Sequence, residues 1–443
     1  MALITRQSTL EDQLSSQPVV FVSLSSRTGP LAPSIQSTSC SDRLDFSLAS
    51  SANSVDHRPK IALVIDPWDY PFNGTVVSTR RFVSALEDQF NFTIFKTSDD
   101  SANVGDNLNA NFKKISVPGV NHIIDRMQAP IARPDRQKIE RNLMGCDLVH
   151  VQYPFLLGHR TIRVARRMGI PVVSSFHVQP ENILRNLNLP EGRLTEWLYR
   201  LFISNFYQAS DVVIAPSEFA RGLLLERGLK RPVEVLSNGV TQAFFDTERT
   251  PTDTAHFSIL SVGRMAREKQ QDLLIRAIGQ SQYKSKIHLT LAGTGPLTTT
   301  LRALANKEQV LADIGRVNDQ TLMQLYKSTD LFVQCSQIEL EGMSALEAMA
   351  AGCPTLLNRS NTSALAELVQ HPAAEFLDSS PLALAQHIDA LISNPVLRDQ
   401  IGTQNRSFAH SRHHDQSIQQ LAKIYNTALT APGLKRAQPS TAG

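Results

Sequence analysis

The sequence contains no run of 18 or more apolar residues, the length a helix needs to cross a bilayer, and no charged segment leading into an apolar one in the manner of a secretory signal. A spanning helix and export are therefore not expected, and the reading favours a cytoplasmic protein. Cysteine is scarce: Cys40, Cys146, Cys335 and Cys353 lie far apart with no Cys-x-x-Cys pair, which argues against a structural zinc site or a disulfide framework. The net charge is only +3, too small to draw in nucleic acid. No Asp-x-Asp follows an expected strand within the cleft inferred below, so no metal is expected.

What the chain does have is size and a core. Its 443 residues, 42% hydrophobic and 19% charged, fit a globular enzyme of two or three domains. The charge is unevenly spread: residues 1–57 carry −2, residues 58–240 carry +5, and the remainder is neutral. Residues 1–57 hold 14 serines and no sustained periodicity, and read as a disordered leader. Order is expected from PKIALVID (Pro59 to Asp66), a β-branched run suited to a buried parallel strand, followed by a loop with Gly74 and the helical pattern VVSTRRFVSALEDQF.

Strand and helix signals alternate onward to VEVLSNG, which predicts a doubly wound parallel α/β sheet over 58–245. A Thr-rich interruption, DTERTPTDTAH, precedes a second such series over 256–414. The pattern SIQQLAKIYNTAL, within 415–430, is expected to form a helix crossing back onto the first domain, and 431–443 to fray. Two open α/β domains facing one another leave a central cleft at the carboxyl ends of their strands, where such sheets bind ligands.

Three stretches bring chemistry to that cleft. In SVGRMAREK, Arg264 and Lys269 follow the first strand of the second domain, and two fixed cations there suit a diphosphate: Arg offers a planar fork, Lys a compact charge. Taken alone, two basic residues in a loop are more often solvated surface. In LAGTGP, two glycines after a strand would let the backbone approach a ligand closely. In IELEGMSALEAMAAGCP, the helix is expected to begin at Gly342, so the free N–H groups of Gly342, Met343 and Ser344 and the helix dipole would form an anion site. Glu347 lies about one turn further along, some 6–8 Å, the spacing between a diphosphate and its ribose. Glu339, before the helix, would accept hydrogen bonds from another polyol, whereas Glu341 reads as an ordinary partner of the helix dipole.

Glu339 to Glu347 as E-x7-E, preceded in order by SVGRMAREK and AGTGP, resembles the retaining nucleotide-sugar glycosyltransferases of family 4, which have the GT-B fold of two Rossmann-like domains. The resemblance extends over 59 to about 430 and includes PSEFARGLL, LSNGV and NPVLRDQ. It implies that Arg264 and Lys269 bind the donor diphosphate, that Glu347 holds the ribose and Glu339 the donor sugar, and that Gly342, Met343 and Ser344 contact phosphate and sugar. It implies further that Gly74 lies against the donor phosphates and that His177, in SSFHVQPEN, stands at the reaction centre. The sequence departs from the family pattern at Glu341-Gly342, where Phe-Gly is usual, at Gln270 and at Asn73-Gly74; these bear on which donor is used.

The activity implied is transfer of a hexose, with retention, from a UDP- or GDP-sugar to an acceptor hydroxyl on a membrane lipid or growing glycan, with no cofactor beyond that donor. A soluble disaccharide synthase or phosphorylase of the same fold, or a non-catalytic sugar-nucleotide-binding subunit, are the alternatives. Arg126, Arg133, Arg136, Lys138 and Arg141, with Arg160, Arg163, Arg166 and Arg167, offer basic faces to an anionic membrane surface, against the simpler reading of solvated helices.

Overall fold

The computed structural model describes residues 57–70, 74–98, 109–115, 130–246, 249–250, 256–377 and 380–431. The expected leader (1–57, apart from its last residue), Arg126 and all but the first residue of the expected frayed tail lie outside them. Two parallel sheets organise the chain. The first comprises β1 (Lys60–Val64), β2 (Asn91–Ser98), β3 (Asn109–Lys113), β4 (Leu148–Val151), β5 (Val172–Ser175), β6 (Val212–Ala215) and β7 (Val233–Val235) in the order β3-β2-β1-β4-β5-β6-β7. The second comprises β8 (Phe257–Val262), β9 (Ile287–Ala292), β10 (Ala312–Gly315), β11 (Leu331–Gln334), β12 (Thr355–Asn358) and β13 (Glu375–Phe376) in the order β10-β9-β8-β11-β12-β13.

In each sheet the chain begins in the middle, steps outward, and returns to the other side. The switch points fall between β1 and β4 in the first sheet and between β8 and β11 in the second, and ligand crevices form at such points. The central strands are apolar because helices cover both faces: Ile61, Leu63, Leu148 and Val173, and likewise Ile259, Leu289 and Val333, are buried. Three short edge strands, β3, β10 and β13, carry too little apolar periodicity to stand out in the sequence; NANFK (β3) and ADIG (β10) owe their strand state to a neighbour already in place.

The last helix, His414–Thr430, packs on the first sheet. Leu421, Ile424, Tyr425 and Ala428 share a buried cluster with Ile61, Leu148, Val173 and Ile214. Its entry is fixed where Val240 and His413 pair, with Val240 N donating to Arg412 O (2.8 Å) and His414 N to Val240 O (2.9 Å). Among the described residues no helix is long and apolar enough to cross a membrane.

Candidate active site

The second lobe's contribution is built from three loops at the carboxyl ends of β8, β9 and β11. The loop after β8 carries Arg264 and Lys269, and the loop after β9 carries Gly293 and Gly295. A Cβ at Gly293 would lie 2.0 Å from the Gly263 carbonyl oxygen, and one at Gly295 would lie 2.4 Å from that of Met265. The backbones are cross-linked there, Gly263 N to Ala292 O (3.0 Å) and Met265 N to Thr294 O (3.1 Å). The glycines were expected to admit a ligand. In the structure they admit the neighbouring loop, and so fix the backbone from which Arg264 projects. Burial lowers the Arg264 pKa, opposed by the charge of Glu268.

After β11, the chain runs through Gln337 to Glu341 and enters the helix Met343–Ala350 from Gly342, whose φ of 88° is left-handed. The first bonds of this helix, from Ala345 and Leu346, both end on the Gly342 carbonyl (3.0 and 3.1 Å). The N–H groups of Gly342, Met343 and Ser344 thus lie ahead of the helical ladder, as expected for an anion site. The helix is short of charge because its inner face is core: Ala345, Leu346, Ala348, Met349 and Ala350 are buried.

Lys269 Nζ donates to Glu339 Oε1 in a largely buried ion pair, and Gln334 Nε2 donates to the same oxygen (2.6 Å). Both side chains therefore meet at the start of the helix. Glu347 faces the other way along it, accepting a hydrogen bond from the Tyr326 hydroxyl (3.1 Å), which also donates to Ser344 O (3.2 Å). Burial raises the Glu347 pKa to about 7, against the lowering influences of Tyr326 and Arg81.

Glu341 does more than the dipole partnership read from the sequence: it is 7% exposed, and its carboxylate accepts hydrogen bonds from Ser237 Oγ, Asn238 N (2.9 Å) and Asn238 Nδ2, all in the first lobe. Burial lifts its pKa to about 7, opposed by those hydrogen bonds and by the charge of Arg412.

The first lobe contributes His177, two residues beyond β5, half-buried, with burial lowering its pKa to about 4. It lines a cavity with His150, Gln152, Ser175, Asn238 and Tyr425. His150 is fully committed there, Nδ1 to the Tyr425 hydroxyl (2.7 Å) and Nε2 to Ser175 Oγ (2.8 Å), and burial lowers its pKa to about 3. This cluster was missed because its members lie up to 275 residues apart; the only signal in the sequence was a polar residue, His150, inside an apolar strand. Gly74 opens the helix Gly74–Leu86, and its carbonyl accepts from Ser78 Oγ (3.0 Å); the preceding 71–73 lie outside the described residues.

The basic faces are partly spoken for. Lys138 donates to Asn111 O and lies over the Phe112 ring, Arg136 pairs with Glu140, and Arg166 pairs with Asp211. Arg133, Arg141, Arg160, Arg163 and Arg167 are exposed.

Two doubly wound lobes, with a cationic loop and a helix N-terminus on one and a histidine on the other, define a glycosyltransferase of the GT-B type. The comparisons with known proteins agree. The family described as Glycosyltransferase Family 4 matches residues 72–244, and that described as Glycosyl transferases group 1 matches 243–408, together spanning 337 of the 443 residues. The chain belongs to the family 4 glycosyltransferases and has the GT-B fold.

It is 26% identical to the alpha-monoglucosyldiacylglycerol synthase of Streptococcus pneumoniae over 67% of this chain and 70% of that one. It is 25% identical to the D-inositol 3-phosphate glycosyltransferase of Streptomyces coelicolor over 64% and 69%. In fold it is similar to HepE of Anabaena, solved with UDP and glucose, with a TM-score of 0.65 and 16% identity over 84% of this chain and 100% of that one. It is likewise similar to the sucrose-phosphate synthase of Thermosynechococcus elongatus, with a TM-score of 0.66 and 17% identity over 84% and 99%.

Proposed function

We propose that this glycosyltransferase uses a nucleoside diphosphate sugar as donor and transfers its hexose with retention to a hydroxyl of a lipid or glycan acceptor. The observation that carries the proposal is the meeting of Lys269 and Glu339 at the N-terminus of the helix Met343–Ala350, with Glu347 one turn along it. A diphosphate bound at the helix start competes for Lys269 and frees Glu339 for the sugar hydroxyls, while Glu347 is left for the ribose. In the displacement, the anomeric carbon–oxygen bond to the β-phosphate breaks with both electrons going to phosphate, and the acceptor oxygen bonds to the same face of the sugar. The acceptor's proton leaves toward the departing phosphate. Negative charge then grows on the phosphate, where Arg264, Lys269 and the helix N–H groups stabilise it more in the transition state than in the ground state. His177, neutral above pH 4, offers the donor sugar a hydrogen bond rather than a charge.

The lipid acceptor is supported by the pneumococcal relative's name and by the exposed arginines of the helix Leu156–Met168, which suit peripheral attachment to an anionic leaflet from the cytoplasmic side. Thermal-shift screening against UDP, GDP and ADP tests the donor: a marked rise in Tm with one of them is expected, and no shift with any overturns the reading. Incubation with a radiolabelled sugar nucleotide and mixed lipids, followed by organic extraction, tests the acceptor; label confined to the aqueous phase turns the reading to a soluble acceptor.

A further inference from the structure

The loop that presents Glu339 is held from both lobes. The second lobe holds its main chain: Gln337 N donates to Glu268 O (2.9 Å), and Ala364 N to Glu339 O (2.9 Å). The first lobe holds it at three other points. Arg185 donates to Gln337 Oε1 (2.6 Å), Ser217 Oγ to the Leu340 carbonyl (2.6 Å), and Ser237 with Asn238 to the Glu341 carboxylate.

Of these three points Glu341 is the one bearing an ionisable group in the loop itself, and its surroundings are built for it. Ser237 Oγ also accepts from Gly239 N (3.0 Å), which sets the hydroxyl proton toward Glu341. Asn238 presents both its main-chain and side-chain N–H groups to the carboxylate, while its carbonyl faces His414 Nδ1 (3.2 Å) at the start of the crossing helix. Gly239 has no room for a side chain: a Cβ there would lie 2.6 Å from His414 Cα. The Ser237-Asn238 turn is thereby clamped between the crossing helix and Glu341, and Asn238 also lines the His177 cavity. One residue separates Glu341 from Glu339, and none separates it from Gly342. A shift of this acid moves the sugar-binding carboxylate and the anion-binding helix start together, relative to His177.

We infer that Glu341 is a positioning residue: by bonding to Ser237 and Asn238 it holds Glu339 and the helix start opposite His177 in the arrangement transfer requires. The inference rests on the donor reading above, and it concerns a residue that touches neither donor nor acceptor. An apolar side chain at this position would pack against the same turn but leave three donors, the buried Ser237 hydroxyl and two N–H groups of half-buried Asn238, without their acceptor.

The test is turnover of UDP-glucose and of GDP-mannose, followed as nucleoside diphosphate release, by the full chain and by Glu341→Ala, Glu341→Gln, Asn238→Ala and the double variant Asn238→Ala/Glu341→Ala. Glu341→Ala should lose at least tenfold in kcat with KM for the donor within threefold of the parent. Glu341→Gln, which retains an acceptor oxygen for Ser237 and Asn238 N, should recover to within threefold of the parent kcat. The double variant should be no slower than Glu341→Ala, because both substitutions break one contact. Parental kcat in Glu341→Ala, equal losses in Ala and Gln variants, or losses that multiply in the double variant would each overturn the inference. If Glu341→Ala fails to fold, Ser237→Ala opens the clasp from its other side and should show an intermediate fall in kcat with UDP binding unchanged; parental kcat there overturns it equally. Absence of turnover in the parent chain with both donors, together with no thermal shift from UDP, GDP or ADP, refutes the donor reading itself, a result separable from all of these.

Discussion

On the second lobe's side of the cleft, Arg264, Lys269, Glu339 and Glu347 reach the site from two short stretches, 264–269 and 339–347, set around one helix start. On the first lobe's side, the polar residues around His177 come from β4, β5, the turn after β7 and the last helix, and His150, Ser175 and Tyr425 are spent on one another. The difference fits the donor proposed above: a diphosphate is compact and charged and its ribose a neutral diol, alike in every nucleoside diphosphate, so a few side chains at fixed spacing around one helix start suffice. The first lobe's cluster is drawn from distant segments because its members bond to one another across the domain.

The comparison is broken most forcefully at the compact wall. Lys269→Ala and Glu339→Ala should each lower kcat about 10²- to 10³-fold, roughly 3–4 kcal/mol of transition-state stabilisation, with the unfolding temperature little changed. Near-parental turnover in either purified variant removes that residue from the reaction.

A smaller effect sharpens the role of Glu347. Its pKa stands near 7, above the usual carboxylate value, because burial disfavours the charged form. The native state therefore binds a proton that the unfolded chain has released between about pH 4.5 and 7, so this group's contribution to stability falls as pH rises through that window. Ribose hydroxyls need the ionised carboxylate as acceptor, so nucleotide affinity should move the opposite way, rising between pH 6 and 8. Titration calorimetry across that range should show a steeper rise in the parent chain than in Glu347→Gln, where only the ionisation of the terminal phosphate remains; an equal slope in both would detach Glu347 from the nucleotide. His177 titrates near 4 and should add no inflection over the same interval.

How much of this was legible beforehand divides along the same line. The alternation of apolar runs and helical patterns carried both sheets, since parallel strands buried on both faces have little choice of composition. The helix start at Gly342 was legible, and so was the gathering of Lys269, Glu339 and Glu347 around it, because a glycine before an apolar helical run announces an N-terminus. The functions of Gly293, Gly295 and Glu341 were not. Gly293 and Gly295 serve the neighbouring loop, and Glu341 serves the Ser237-Asn238 turn about a hundred residues earlier, so each depends on a contact that no local spacing encodes. The cluster of His150 with Tyr425 is hidden for the same reason.

The smallest effect on turnover concerns the exposed arginines of the first lobe. Arg160, Arg163 and Arg167 lie on the helix Leu156–Met168, whose buried face, Leu157, Ile162 and Ala165, is core, while Arg166 is held by Asp211. Three exposed cations on one helix interact weakly with solvent counterions and contribute little to folding, but each is worth about 1 kcal/mol near an anionic bilayer. Replacing Arg160, Arg163 and Arg167 by Gln should leave donor turnover in solution within twofold of the parent. Sedimentation with phosphatidylglycerol vesicles should fall by roughly two orders of magnitude in partition coefficient, and neutral phosphatidylcholine vesicles should bind parent and variant alike. If parent and variant sediment equally with the anionic vesicles, this face is ordinary solvated surface and takes no part in attaching the protein to a membrane.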